Sequence, residues 1–229
     1  MVGALTLYRS TIGRKIIMAI TGLIGISFVL GHMYGNLKVF IGPEYFNHYA
    51  EGLRELGAPV LGHTHFLWIF RIVLLASVVL HVWAAYSLYQ DSQRARPVSY
   101  AQRHNLQATL ASLYMRVGGV LIFVFIILHL AHFTWGIPGI HPNFSHDNVY
   151  QNLVIGFTSY GYIFTIFYLI AMVALGFHLY HGTWSLFQTL GFNNQTYTKP
   201  LRTVALGLAI LVAGGFALVP ISVLIGLVQ

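Results

Sequence analysis

Apolar stretches of about 20 residues recur along this chain, and no other feature restricts its fold as much. A hydrocarbon core roughly 30 Å thick is crossed by about 20 apolar residues in a helix rising 1.5 Å per residue. Five stretches meet that length: about Arg14 to Phe40, Phe66 to Tyr89, Leu110 to Trp135, Tyr160 to Phe187 and Leu201 to Leu227. Between them lie the breakers Gly42-Pro43, Gly57-Ala58-Pro59, Arg96-Pro97, Ile137-Pro138-Gly139 and Lys199-Pro200. In lipid only helices or closed barrels satisfy every backbone group internally, and these runs are too long for barrel strands. The prediction is an all-α integral membrane protein with five transmembrane helices, one domain over residues 1–229.

Composition agrees with a bilayer. Of 229 residues, 57% are hydrophobic and 7% charged, too few polar groups to coat a soluble globule of this size. There are no cysteines, so disulfides, iron–sulfur ligation and thiolate chemistry are excluded within the chain. The net charge of +7 is scattered one to three residues per connection, with no basic face for nucleic acid to follow. The first apolar stretch, after Arg14-Lys15, is too long for a signal-peptide core, and the N-terminus is expected to be retained.

Basic residues set the expected orientation, because short cytoplasmic connections retain Lys and Arg. The N-terminal arm carries Arg9, Arg14 and Lys15; the second connection carries Arg94, Arg96 and Arg103; the fourth carries Lys199 and Arg202. The opposite side has only Lys38 and Arg54, with the acids Glu44, Glu51, Glu55 and Asp147. The N-terminus is expected in the cytoplasm and the C-terminus outside.

Twelve histidines are present, and His32, His81, His129, His132, His178 and His181 fall within spans, where an ionisable group is costly without a partner. An isolated intramembrane histidine can be a simple interhelical hydrogen-bond residue. As a set they sort by depth. His32 and His129 come late in helices running outward, and His81 and His178 late in helices running inward. Two pairs result, separated by on the order of 14 Å at 1.5 Å per residue. Each pair joins two helices at one depth, as two axial imidazoles on one haem iron require. Bis-histidine ligation leaves no open position and favours electron transfer. The first four helices are thus expected to form a haem-binding bundle, with Gly31, Gly118, Gly119 and Gly176 letting a porphyrin approach the backbone or simply packing helices.

His129-Leu-Ala-His132 and His178-Leu-Tyr-His181 also have the i, i+3 spacing of a two-ligand metal face. A di-iron centre would need carboxylates, and the third and fourth of the five stretches contain none. His132 and His181 are instead expected to hydrogen-bond a propionate or water, or to serve a quinone pocket. A haem-free histidine-rich transporter would show helices broken at the midplane, yet the only proline within a predicted span is Pro220.

Several segments carry a family pattern: Ser10-Thr11-Ile12-Gly13-Arg14-Lys15, Ala19-Ile20-Thr21-Gly22, Gly31-His32-Met33-Tyr34-Gly35-Asn36-Leu37 and Phe46-Asn47-His48-Tyr49-Ala50. Arg116-Val117-Gly118-Gly119 and Phe177-His178-Leu179-Tyr180-His181-Gly182-Thr183-Trp184-Ser185 continue it. Across all five helices the chain resembles the single-chain di-haem cytochrome b membrane anchor of succinate:quinone oxidoreductase, respiratory complex II. The resemblance implies two haem b groups, the outer (distal) one on His32 and His129 and the inner (proximal) one on His81 and His178. It implies a flavoprotein (FAD) subunit and an iron–sulfur subunit on the cytoplasmic side of a prokaryotic cell membrane. It also implies electron transfer to quinone, commonly menaquinone. A quinol:fumarate reductase anchor running in reverse has the same architecture, and a higher oligomer of the complex is compatible with the pattern. Glu51, Glu55, His48 and His63 are candidates for quinone-linked proton transfer, or are solvated loop residues. Arg71 and Arg116 either pair with propionates or snorkel to headgroups.

Overall fold

The computed structural model describes residues 8, 10–96, 110–192 and 194–229; Arg9, Pro97 and Arg103, used above for breaks and orientation, lie outside them. The described residues form seven α-helices and no strand. Helix α1 is Thr11–Leu37, α2 Pro43–Arg54, α3 His65–Arg94, α4 Leu110–Phe133, α5 Val149–Thr158, α6 Ile163–Thr189 and α7 Gln195–Leu224. Short 3₁₀ turns, Lys38–Ile41 and Ser159–Tyr162, follow α1 and precede α6. Five segments are long and apolar enough to cross a membrane, built on α1, α3, α4, α6 and α7, as expected from the sequence.

Local chemistry sets the ends. The Ser10 hydroxyl accepts from the Gly13 N–H at 3.0 Å and caps α1. At its far end Gly42 takes φ 126°, and Pro43 opens α2 with its fixed φ. Asn194 caps α7 through the Tyr197 N–H. Gly226, at φ 74°, stops α7 by turning the Leu227 and Val228 N–H groups back to the Ser222 carbonyl.

Three boundaries differ from the sequence expectation. Lys199-Pro200 was expected to separate spans, but Pro200 lies inside α7. It removes one hydrogen bond, to the Thr196 carbonyl, near an exposed helix end where water or headgroups can replace it. Helix α3 runs to Arg94 rather than Tyr89, carrying a polar last turn. The segment before α6 is not a loop: α5 forms there, capped by Asn148, and buries Tyr150, Leu153 and Phe157. Tyr160, Gly161 and Tyr162 then sit at φ 53°, 66° and 63°, a left-handed run that reverses the chain into α6.

Helix α1 packs on α3, α4 packs on α6, and α7 packs on both α6 and α1. Lipid tails are as apolar as leucine, so helices associate through close packing at small residues. Ala84, Ala171 and Ala205 are wholly buried, while Ile72, Leu75, Val79, Val117 and Val120 are left on the outer surface of the bundle. A Cβ on Gly176 would meet Ala213 Cβ at 3.3 Å. Gly176 therefore serves the contact of α6 with α7, the helix-packing alternative of the two expected for it.

The two ends of the bundle differ. At one end Arg14 of α1 pairs with Asp91 of α3 at 2.8 Å, Arg116 lies over Tyr89, and Arg202 lies over Trp184. These contacts gather the starts of α1, α4 and α7 and the ends of α3 and α6 into one basic face. The opposite end carries α2 and α5, joined by the Asn47 side chain, which accepts from the Tyr150 N–H at 2.9 Å and donates to Asn148 at 3.2 Å. We call it the α2 face.

Candidate functional site: two histidine pairs at two levels

His32 of α1 and His129 of α4 meet toward the α2 face, with ring centroids 5.8 Å apart and planes at 80°. His81 of α3 and His178 of α6 meet toward the basic face, at 6.2 Å and 56°. The structure thus brings together the same two pairs that depth alone suggested, each shared between helices that are not sequence neighbours.

The two levels are set by similar steps along α1 and α4. On α1, Thr21 and Gly22 face His81, and His32 follows Thr21 by eleven residues. On α4, Gly119 faces His178, and His129 follows it by ten residues. Ten or eleven residues make about three turns and rise about 15–16 Å, which sets the two levels apart along each helix.

At the level nearer the basic face, Thr21 Oγ1 donates to the carbonyls of Ile17 at 2.7 Å and Met18 at 3.2 Å. The same oxygen lies 3.0 Å from His81 Nδ1. A Cβ on Gly22 would stand 3.5 Å from His81 Cε1, and one on Gly119 would stand 3.9 Å from His178 Cε1. These glycines let the two imidazoles lie close to the neighbouring helix backbone. His178 Nδ1 is buried with no hydrogen-bond partner among the described residues. His181, one turn further along α6, is half-buried.

At the level nearer the α2 face, His32 stacks on Phe28 at 5.2 Å and lies 5.6 Å from Phe216 of α7. The fifth spanning helix thus reaches the site with an aromatic ring, although it has no histidine. His129 is flanked by Phe125 and Phe133. Tyr168 of α6 places its hydroxyl 3.1 Å from His129 Nδ1 and 3.2 Å from His132 Nδ1. His132 is fully buried, stacked on Phe164 at 4.4 Å and beside His141 at 5.3 Å. His141, in the loop before α5, donates from Nε2 to the Asn152 carbonyl at 2.8 Å. His132 thus occupies an aromatic core with Tyr168 as its side-chain partner.

The remaining candidates lie apart from the pairs. The Glu51 carboxylate accepts from Arg54 and sits 3.3 Å from His63 Nε2, while Arg54 also donates to the His146 carbonyl at 2.8 Å. Arg54 first, then His63, holds Glu51 below its ordinary carboxyl range. His48 lines an open cleft of about 480 Å³ with Ile41, Gly42, Pro43, Glu44 and Tyr45. Glu55 is exposed. Arg71 lies over Trp68, and Arg116 over Tyr89. Among the described residues no group of three or more His, Cys, Asp or Glu side chains gathers as a metal cluster.

Thr21, Gly22, Tyr168 and Phe216 were not singled out from sequence as site residues. A usable signal existed for the first two, which lie eleven and ten residues before His32. Tyr168 carries none, because one tyrosine in an apolar run reads as packing.

The sequence model of one family, described as succinate dehydrogenase/fumarate reductase transmembrane subunit, matches residues 92–215. The matched stretch contains His129, Tyr168 and His178, and leaves out His32 and His81. No curated protein and no solved structure matches the chain. The match covers more than half of the residues, and the five spanning segments suit it: the chain belongs to the succinate dehydrogenase/fumarate reductase transmembrane subunit family.

Proposed function

We propose that this chain is the membrane anchor and di-haem cytochrome b subunit of a succinate dehydrogenase, relaying electrons from an iron–sulfur subunit to a quinone, with menaquinone the expected type. The observation that carries the reading is the meeting of His32 with His129 and of His81 with His178 at two levels of one bundle. Four imidazoles have no reason to enter lipid in facing pairs unless each pair grips something. Backbone beside the pairs is left uncovered: a Cβ on Gly25, on α1 between Gly22 and His32, or on Gly31 would meet nothing within 4 Å. That is a cradle of the sort a flat macrocycle needs.

His81 and His178 would hold the haem nearer the basic face, and His32 and His129 the one nearer the α2 face. Haem gripped by two imidazoles supplies a one-electron iron couple with no open coordination position. The chain's own part is to fix the ligand rings, keep water away with Phe28, Phe125, Phe133 and Phe216, and set two depths. The basic face, with Arg14, Arg94 and Lys199, fits the cytoplasmic side, where the iron–sulfur and flavoprotein subunits would dock. The membrane is then that of a prokaryotic cell, with the α2 face outside.

A dithionite-reduced spectrum of the purified complex tests this reading. About two b-type haems per chain are expected; a folded complex without haem would end it. His81→Ala or His178→Ala should remove one haem, and His32→Ala or His129→Ala the other. Flow from quinol to fumarate would use the same residues, so steady-state rates measured in both directions decide between the two.

A further inference from the structure

Each histidine pair contains one imidazole whose Nδ1 is met by a side-chain hydroxyl: Thr21 for His81 and Tyr168 for His129. The proton count around Thr21 is closed. Its single hydroxyl hydrogen is directed to the Ile17 and Met18 carbonyls, so toward His81 it can only accept. His81 must therefore carry its proton on Nδ1 and leave Nε2 bare, free to bind a metal.

Tyr168 also has one hydrogen and touches two Nδ1 atoms, at 3.1 and 3.2 Å. If it donates to His132, it accepts from His129. His129 then holds Nδ1–H and offers Nε2, while His132 keeps its proton on Nε2, beside Gly156. The opposite arrangement would use up the Nδ1 lone pair of His129 and leave Nε2 protonated. His132, buried at 0% exposure and three residues from His129, is thus the acceptor that orients the Tyr168 hydroxyl.

We propose that Thr21 and Tyr168 are positioning residues: each accepts the Nδ1–H of one axial histidine, fixing its tautomer and ring angle and making it a stronger electron donor to iron. The proposal rests on the haem ligation described under Proposed function. A ligand made more basic through its second nitrogen favours the oxidised metal, and removing such a partner typically weakens binding about 10–100-fold. The two hydroxyls act at different levels, so their effects should separate.

The test uses the purified holo-complex carrying Thr21→Val, Thr21→Ser or Tyr168→Phe, read by haem per chain, redox titration and low-spin electron paramagnetic resonance. Thr21→Val should raise the midpoint potential of the haem assigned to His81 and His178, or lose that haem, and leave the other unchanged. Thr21→Ser should restore both occupancy and potential, since it keeps the hydroxyl. Tyr168→Phe should raise the potential of the haem assigned to His32 and His129 alone. Unchanged potentials with both haems retained would overturn the inference, as would a Thr21→Ser variant that behaves like Thr21→Val. Retention of both haems by His81→Ala and His129→Ala would instead overturn the ligation itself.

Discussion

Gly22 of α1 lies directly against the His81 ring of α3, where an added Cβ would stand 3.5 Å from Cε1. That is ordinary contact distance, so Gly22→Ala should be accommodated. Gly22→Leu should push His81 off its line to His178, at a cost of about 1–3 kcal/mol from overpacking. The reduced spectrum should lose the His81–His178 haem selectively, with the His32–His129 haem kept.

Gly156 is the corresponding tight point in the aromatic core near the α2 face. A Cβ there would fall 2.7 Å from Phe133 Cε1 and 2.9 Å from His132 Nε2. Both rings are enclosed by Phe157 and Tyr168, so neither can give way cheaply. Gly156→Ala should destabilise the detergent-solubilised protein by about 1–3 kcal/mol, seen as a lower thermal midpoint.

Glu51 should impose an acid dependence on the α2 face. Its carboxyl is held below the ordinary value of 4.5 by Arg54 first and His63 second. A lowered folded-state value means the contribution is complete above the unfolded value and fades as pH falls through the lowered one. Hydrogen exchange of the α2 amides should therefore speed up, relative to intrinsic rates, only below about pH 4.5. In Glu51→Gln that step should disappear.

Orientation can be read without background, because the chain has no cysteine. Val60, 90% exposed in the connection after α2, and Ala95, just past α3, lie at opposite ends of the bundle. In intact cells a membrane-impermeant thiol reagent should label Val60→Cys and spare Ala95→Cys. The reverse pattern would put the α2 face in the cytoplasm.

The five spans were legible in the sequence because uninterrupted apolar length has one physical solution in lipid. The pairing of histidines was legible too, since helix direction and rise convert residue number into depth. Helix α5 was hidden: ten residues are too few to span, and Gln151 and Asn152 interrupt its apolar face. The reversal at Tyr160-Gly161-Tyr162 was hidden for the opposite reason, as two aromatic residues read like the start of a span. Gly176 shows a third limit. Its neighbours in sequence point to His178, while its missing side chain serves Ala213 on another helix.

The eleven-residue step from Thr21 to His32, with the ten-residue step from Gly119 to His129, restricts how such a chain can change in length. One residue inserted within either step would turn everything beyond it by about 100°, carrying an imidazole away from its counterpart. Insertions and deletions are thus barred from the middles of α1 and α4, whereas the span-free segment from Glu55 to Thr64 has no such register to keep. Homologous chains should vary in length there and hold these two intervals fixed.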